Sequence, residues 1–112
     1  MDKLWGETES LDSSNTSQLC RIRIDLGGYC SWHLHEHKWN MFVVVSGKIM
    51  VFSNSEDSIN YKTLLPNDSY SVSPNVKHKF LALEETTAYE FYWGDKVSCD
   101  DIVRFSDGGC LC

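Results

Sequence analysis

From residue 19 onward, apolar and polar side chains alternate with a period of two. In "LCRIRIDL", Cys20, Ile22, Ile24 and Leu26 alternate with Arg21, Arg23 and Asp25. That is the pattern of a strand with one buried face, and Gly27-Gly28 then turns the chain. Further strand-like runs are "YCSWHLH", "NMFVVVS", "KIMVFS", "INYKTL", "SYSVS", "KHKFLALE" and "TAYEFYW". Between them stand turn signals: Ser46-Gly47, the polar stretch at 53–58, Pro66-Asn67-Asp68 and Ser73-Pro74-Asn75. A helical period shows only weakly, as one turn in "DDIVRF". Many short strands with polar turns predict an all-β domain, a small antiparallel sandwich or barrel.

The polar, Ser- and Thr-rich residues 7–18 carry no such alternation and predict an exposed arm. The expected organisation is therefore an N-terminal arm over 1–18, a β-barrel over 19–106 and a flexible tail over 107–112 carrying Cys110-Leu111-Cys112. With 112 residues the chain suits one domain, and a domain this small gains burial from a partner subunit, which predicts a homodimer.

Composition narrows the partners. A net charge of −6 without any Lys/Arg cluster argues against nucleic acid. The longest apolar run, "MFVVV", is far too short to span a bilayer, and the N-terminus resembles no signal peptide, so a soluble, cytoplasmic protein is expected, without membrane partners. Five scattered cysteines with no CxxC pair predict reduced thiols.

The chemistry concentrates in "WHLHEHKWNM". His33 and His35, two apart on a predicted strand, leave the same face of the sheet. For Asn40 also to face inward, the chain must turn within "EHKW". This would make 29–35 and 40–46 neighbouring antiparallel strands and leave His37 solvated in the turn. His78 begins another strand after a Pro/Asn turn. Three histidines and one oxygen donor form a ligand set for a divalent transition ion with open coordination positions. Phe42 and Val44 share the face of Asn40, and Phe80 and Ala82 that of His78, giving the cavity an apolar lining.

These residues carry a resemblance to the cupin superfamily. Its first motif is Gly, five residues, His-x-His, three or four residues, Glu, six residues, Gly. Here it reads Gly27, "GYCSW", His33-Leu34-His35, "EHKW", Asn40, "MFVVVS", Gly47, with Asn40 in the place of Glu. Of the second motif, His78 is kept, while Asn67, Ser73 and Asn75 stand where Gly, Pro and Gly are expected and Ala82 stands for Asn. A narrower resemblance, to the C-terminal cupin domain of type II mannose-6-phosphate isomerases, rests on Trp5-Gly6, "WNMFVVVSGKIMV", "YEFYWG" and "CDDIVRFSDGG". The resemblance implies a double-stranded β-helix, the cupin jelly roll, with His33, His35 and His78 as metal ligands projecting into the barrel.

With an amide at 40 instead of a carboxylate, the ligand set is neutral. Such a site favours Zn²⁺, Ni²⁺ or Fe²⁺, with Mn²⁺ as a further option, and holds Mg²⁺ poorly. An anionic ligand would complete the shell, and occupancy is expected to fall as pH drops through roughly 6, where histidine protonates. Lys38, Lys77 and Lys79, near the histidines in sequence, read as solvated surface lysines, or alternatively as an attraction for an anion at the cavity mouth. Arg104 reads equally as an ion-pair partner for Asp100 or Asp101. Two classes of function follow. One is a metal-dependent enzyme acting on a sugar phosphate or other small anion, mannose-6-phosphate isomerase-like, for which Glu36 and Glu84 are the candidate bases. The other is a noncatalytic small-ligand or sugar-binding module.

Overall fold

The computed structural model describes residues 1–55 and 58–111. Part of the polar turn expected at 53–58, and Cys112 of the expected tail, lie outside the described residues. No helix occurs among the described residues, and none is long and apolar enough to cross a membrane. The strands are β1 (Asp2–Lys3), β2 (Gly6–Ser13), β3 (Ser17–Ile24), β4 (Gly28–Tyr29), β5 (His33–Leu34), β6 (Lys38–Ser46), β7 (Ile49–Ser55), β8 (Ser58–Leu64), β9 (Ser69–Val72), β10 (Lys77–Ala82), β11 (Thr86–Gly94), β12 (Val103–Arg104) and β13 (Gly109–Cys110).

They form two antiparallel sheets. The first runs β1-β2-β3-β11-β6-β9. The second runs β12-β5-β10-β4-β13, with β7 on the other edge of β10 and β8 beyond β7. This helix-free pair of sheets is the arrangement typical of the cupin jelly roll.

Alternation decides which residues face inward. Ile22 and Ile24 of β3, Phe42 and Val44 of β6, and Ala88 of β11 meet Ile49 and Val51 of β7 and Phe80 and Ala82 of β10 in one core. Phe42 touches Phe80 edge-on at 6.0 Å between ring centroids, and Trp5 does the same to Phe80 at 5.1 Å, so aromatic rings join the two sheets and the N-terminal hairpin. Burying each such side chain stabilises by about 1.5–3 kcal/mol.

The turns explain two motif positions. Asn67 and Asn75, which occupy glycine positions of the second cupin motif, have φ of 74° and 67°. Asparagine is the residue that enters this left-handed region most readily after glycine, so the conformation survives the substitution. Gly47, conserved in spacing with the first motif, has φ of 95°, and a Cβ there would lie 2.3 Å from the carbonyl oxygen of Glu85.

The structure departs from the sequence reading in four places. Residues 6–13, expected as an exposed arm, form β2 on β3. This strand is polar on both faces because it lies near the sheet edge, and it is fixed by backbone pairing and by the cross-strand ion pairs Arg21–Glu9 (2.8 Å) and Arg23–Glu7 (3.3 Å), which leave no hydrophobic period to read. The tail at 107–112 is not free as far as it is described: Gly109 and Cys110 pair with β4, and Leu111 N–H donates to Gly27 (2.9 Å). "DDIVRF" makes no helical turn, its Val103 and Arg104 pairing with β5 instead. Finally, segments 29–35 and 40–46 are not neighbours in one sheet. The chain crosses at 36–37 from the second sheet to the first, so that their inner faces oppose each other.

Candidate metal centre and its cavity

That crossover brings the histidines together. His33 on β5 lies opposite His78 on β10 as a direct cross-strand pair, and His35 follows two residues on, with its side chain on the same side. All three are buried, and their candidate ligand nitrogens lie within 4.8 Å of one another. His37 is exposed, as expected for the turn.

The hydrogen bonds set the tautomers. Nδ1 of His33 lies 2.7 Å from the carbonyl oxygen of Ser31, that of His35 2.7 Å from Asp101, and that of His78 3.0 Å from Val76. A carbonyl oxygen only accepts, so each Nδ1 carries the proton and each Nε2 is left as an unprotonated acceptor. Second-sphere carbonyls of this kind orient metal-binding imidazoles. Nε2 of His35 and Oδ1 of Asn40 are buried without any partner. Such atoms are costly unless something meets them, and a divalent transition ion would.

Burial lowers the imidazole pKa values. For His33, burial and then the neighbouring His78 push it down to about 3. For His35, burial pushes it down to about 4, and His78 is likewise lowered by burial. His33 and His35 therefore stay neutral well below pH 6, His78 shifts in the same direction, and the expected onset of proton competition moves to lower pH.

A carboxylate missed by the sequence reading completes the picture. Glu90 on β11 is buried, its Oε2 accepting from Asn40 Nδ2 at 3.2 Å and from the Tyr92 hydroxyl at 2.8 Å. Asn40 Nδ2 also lies 3.4 Å from His78 Nε2, so the amide links the carboxylate to the cluster. The site is thus not without a nearby acidic group, as Asn40 alone would suggest. Burial raises the Glu90 pKa against the hydrogen bonds of Tyr92 and Asn40. The missed signal was parity: Glu90 shares the inner face of β11 with Thr86 and Ala88. Glu36 and Glu84, the earlier candidates, are exposed, and Glu84 pairs with Lys48 at 3.8 Å.

The lysines also fall differently. Lys38 is buried, donating to the Ser98 carbonyl (2.9 Å) and lying 4.2 Å from the Tyr92 ring centroid. Lys77 and Lys79 sit over aromatic rings, Lys77 at 4.0 Å from Phe105. Asp101 does not pair with Arg104. Its carboxylate accepts from Glu36 N–H (2.7 Å) and His37 N–H (2.9 Å), clamping the turn that follows the histidines.

The cluster opens into a cavity of about 310 Å³ lined by His33, His35, Phe42, Phe80, Glu90 and Tyr92, with Lys3 and Arg104 also on its wall. Residues 2–107 match the family described as mannose-6-phosphate isomerase, C-terminal. This chain belongs to that family. It is 32% identical over 108 residues to a mannose-1-phosphate guanylyltransferase of Salmonella montevideo, which covers 92% of this chain and 21% of that protein. The chain therefore spans about a fifth of that curated relative. Among solved structures, oxalate decarboxylase from Bacillus subtilis superposes with a TM-score of 0.80 at 16% identity, over 94% of this chain and 29% of that one. A cupin superfamily protein from Desulfitobacterium hafniense DCB-2 gives 0.69 at 13% identity, over 80% and 77%. At such identities these two likenesses carry the fold alone. The mannose-6-phosphate isomerase C-terminal family membership and the buried three-histidine cluster together describe a cupin domain suited to a divalent transition ion.

Proposed function

We propose that this domain binds a divalent transition ion, Zn²⁺, Ni²⁺ or Fe²⁺ in preference to Mn²⁺, through Nε2 of His33, His35 and His78, with Oδ1 of Asn40 as the oxygen donor. The observation that carries this reading is that three Nδ1–H groups are tied to backbone carbonyls, which leaves Nε2 to bind, in three imidazoles whose candidate ligand nitrogens lie within 4.8 Å of one another. When bound, the ion would supply Lewis acidity at its open positions. Within the reading, Glu90 accepts from Asn40 Nδ2 and leaves the buried Oδ1 without a protein partner, Phe42 and Phe80 exclude water from one side, and a small anionic ligand such as a sugar phosphate occupies the cavity. Family membership and the guanylyltransferase relative support the sugar-phosphate class. The domain is read as a homodimer working in the cytoplasm, without nucleic-acid or membrane partners. Cys20, Cys30, Cys99 and Cys110 being free thiols is in keeping with that compartment.

Binding module and enzyme are separable. Catalysis, of the mannose-6-phosphate isomerase type, is favoured by one observation: a carboxylate, Glu90, lines the cavity beside the cluster, where it is placed to take and return a proton. The test is elemental analysis of protein purified without a polyhistidine tag, followed by assay of the Zn-, Fe-, Mn- and Ni-loaded forms for conversion of mannose 6-phosphate to fructose 6-phosphate. Bound metal and turnover, both lost in His35→Ala, identify an enzyme; metal without turnover identifies a module. Refusal of every ion at neutral pH overturns the metal reading.

A further inference from the structure

Of the ten basic side chains, seven are engaged. Arg21, Arg23 and Lys48 form ion pairs, Lys38 and Lys62 donate to carbonyl oxygens, and Lys77 and Lys79 cover aromatic rings. Lys3, Lys96 and Arg104 have no side-chain partner among the described residues. Two of these three, Lys3 and Arg104, line the histidine cavity.

Their placement follows from the fold. Arg104 on β12 is the direct cross-strand partner of His33, and directly opposed residues project on the same face of a sheet. Lys3, on the N-terminal hairpin that is anchored by buried Trp5, reaches the cavity from the first sheet. The cations thus approach the cluster from two sides. The acidic side chains on the wall are Glu90 and Asp107, neither within ion-pair distance of Lys3 or Arg104. Two cations and two acids roughly cancel, so a divalent ion among neutral imidazoles would leave the cavity positive and receptive to an anion.

We propose that Lys3 and Arg104 form the oxyanion subsite of this cavity, taking the phosphate or carboxylate of a sugar derivative whose hydroxyl end reaches the histidine cluster. This rests on the reading of the cavity as a metal and ligand site. A guanidinium offers a planar fork of donors to two oxygens, while the lysine adds a movable charge on a flexible stem. A volume near 310 Å³ is at the small end for ligand sites and suits one sugar ring with one charged group.

Calorimetric titration of the full, zinc-loaded chain tests this with mannose 6-phosphate, mannuronate and free mannose. The charged sugars should bind more tightly than mannose, the tighter of the two naming the oxyanion. Lys3→Gln/Arg104→Gln should weaken the charged sugars by on the order of tenfold or more. The same double variant should leave mannose affinity unchanged and should not weaken zinc binding. Lys96→Gln, the loss of one positive charge outside the cavity, should change nothing. Equal binding of charged and neutral sugars, no binding of either charged sugar, or full affinity in the double variant would overturn the subsite. Zinc titration of the same samples keeps the two readings apart: charge-dependent sugar binding without zinc uptake overturns the metal reading and supports the subsite, whereas zinc uptake without charge dependence overturns the subsite alone.

Discussion

Each buried imidazole stores a dependence on pH. In the unfolded chain histidine takes a proton near 6.5, but in the folded, metal-free protein His33 does so only at about 3 and His35 at about 4, because burial disfavours the charge. Between those values the unfolded state holds more protons. The contribution of each group to stability is therefore intact above 6.5 and is lost as pH falls toward 4 and then 3, by about 1.4 kcal/mol per pH unit and per histidine. Thermal melts of metal-free protein between pH 7 and 4 should show a steadily falling midpoint; a flat profile would contradict the buried neutral assignment. Asn40 obeys the same electrostatics. Asn40→Glu, which restores the motif residue, would set a second carboxylate against Glu90 at hydrogen-bond distance, and two such groups resist joint ionisation. The metal-free variant should lose about 1–3 kcal/mol. Zinc should recover much of that loss, as read by melts with and without the ion.

Among the elements, the segment from Ser98 to Arg104 organises the site without being part of the histidine strands. The Asp101 carboxylate holds two N–H groups of the 36–37 crossover, and its carbonyl holds Nδ1 of His35. Asp101→Ala keeps the carbonyl but frees the turn, so metal affinity should fall about 10- to 100-fold with stability lower by about 1–3 kcal/mol. Zinc titration together with melting of the metal-free variant separates the two effects. Unaltered affinity would show that the turn positions itself. The acidic run in "CDDIVRF" was legible as a family resemblance, but its work was not, because the contacts join residues more than sixty positions apart. The β2 strand escaped the reading for a different reason: its stabilising pairs are charged and lie across the ladder, whereas the alternation used to detect strands registers burial alone.

For the whole molecule, the outer face of the first sheet is the surface available for self-association. Trp39 stacks on Trp93 at 5.8 Å and Trp93 on Phe91 at 5.5 Å, with Trp39 41% and Val45 48% exposed. Apolar side chains gathered on one sheet face gain from being covered. The proposed homodimer should therefore appear in light scattering at the mass of two chains, and Trp93→Glu should convert it to one. A native protein of single-chain mass at micromolar concentration would exclude the dimer.

Local information determined much of this protein. The period of two marked β3, β6, β7, β10 and β11, because a strand with one buried face must alternate. The His-x-His spacing placed two imidazoles on one side for the same reason, and Asn67 and Asn75 sit in turns that need a left-handed residue. Tertiary structure decided what lies opposite them. Only the crossing from one sheet to the other sets Asn40 against His78, brings Glu90 in from β11, and sends Lys38 into the interior while Lys3 and Arg104 reach the cavity. Those outcomes depend on which faces are packed together and from which strands, and a side chain's own neighbours in sequence carry its direction along the strand but not the identity of what it will meet.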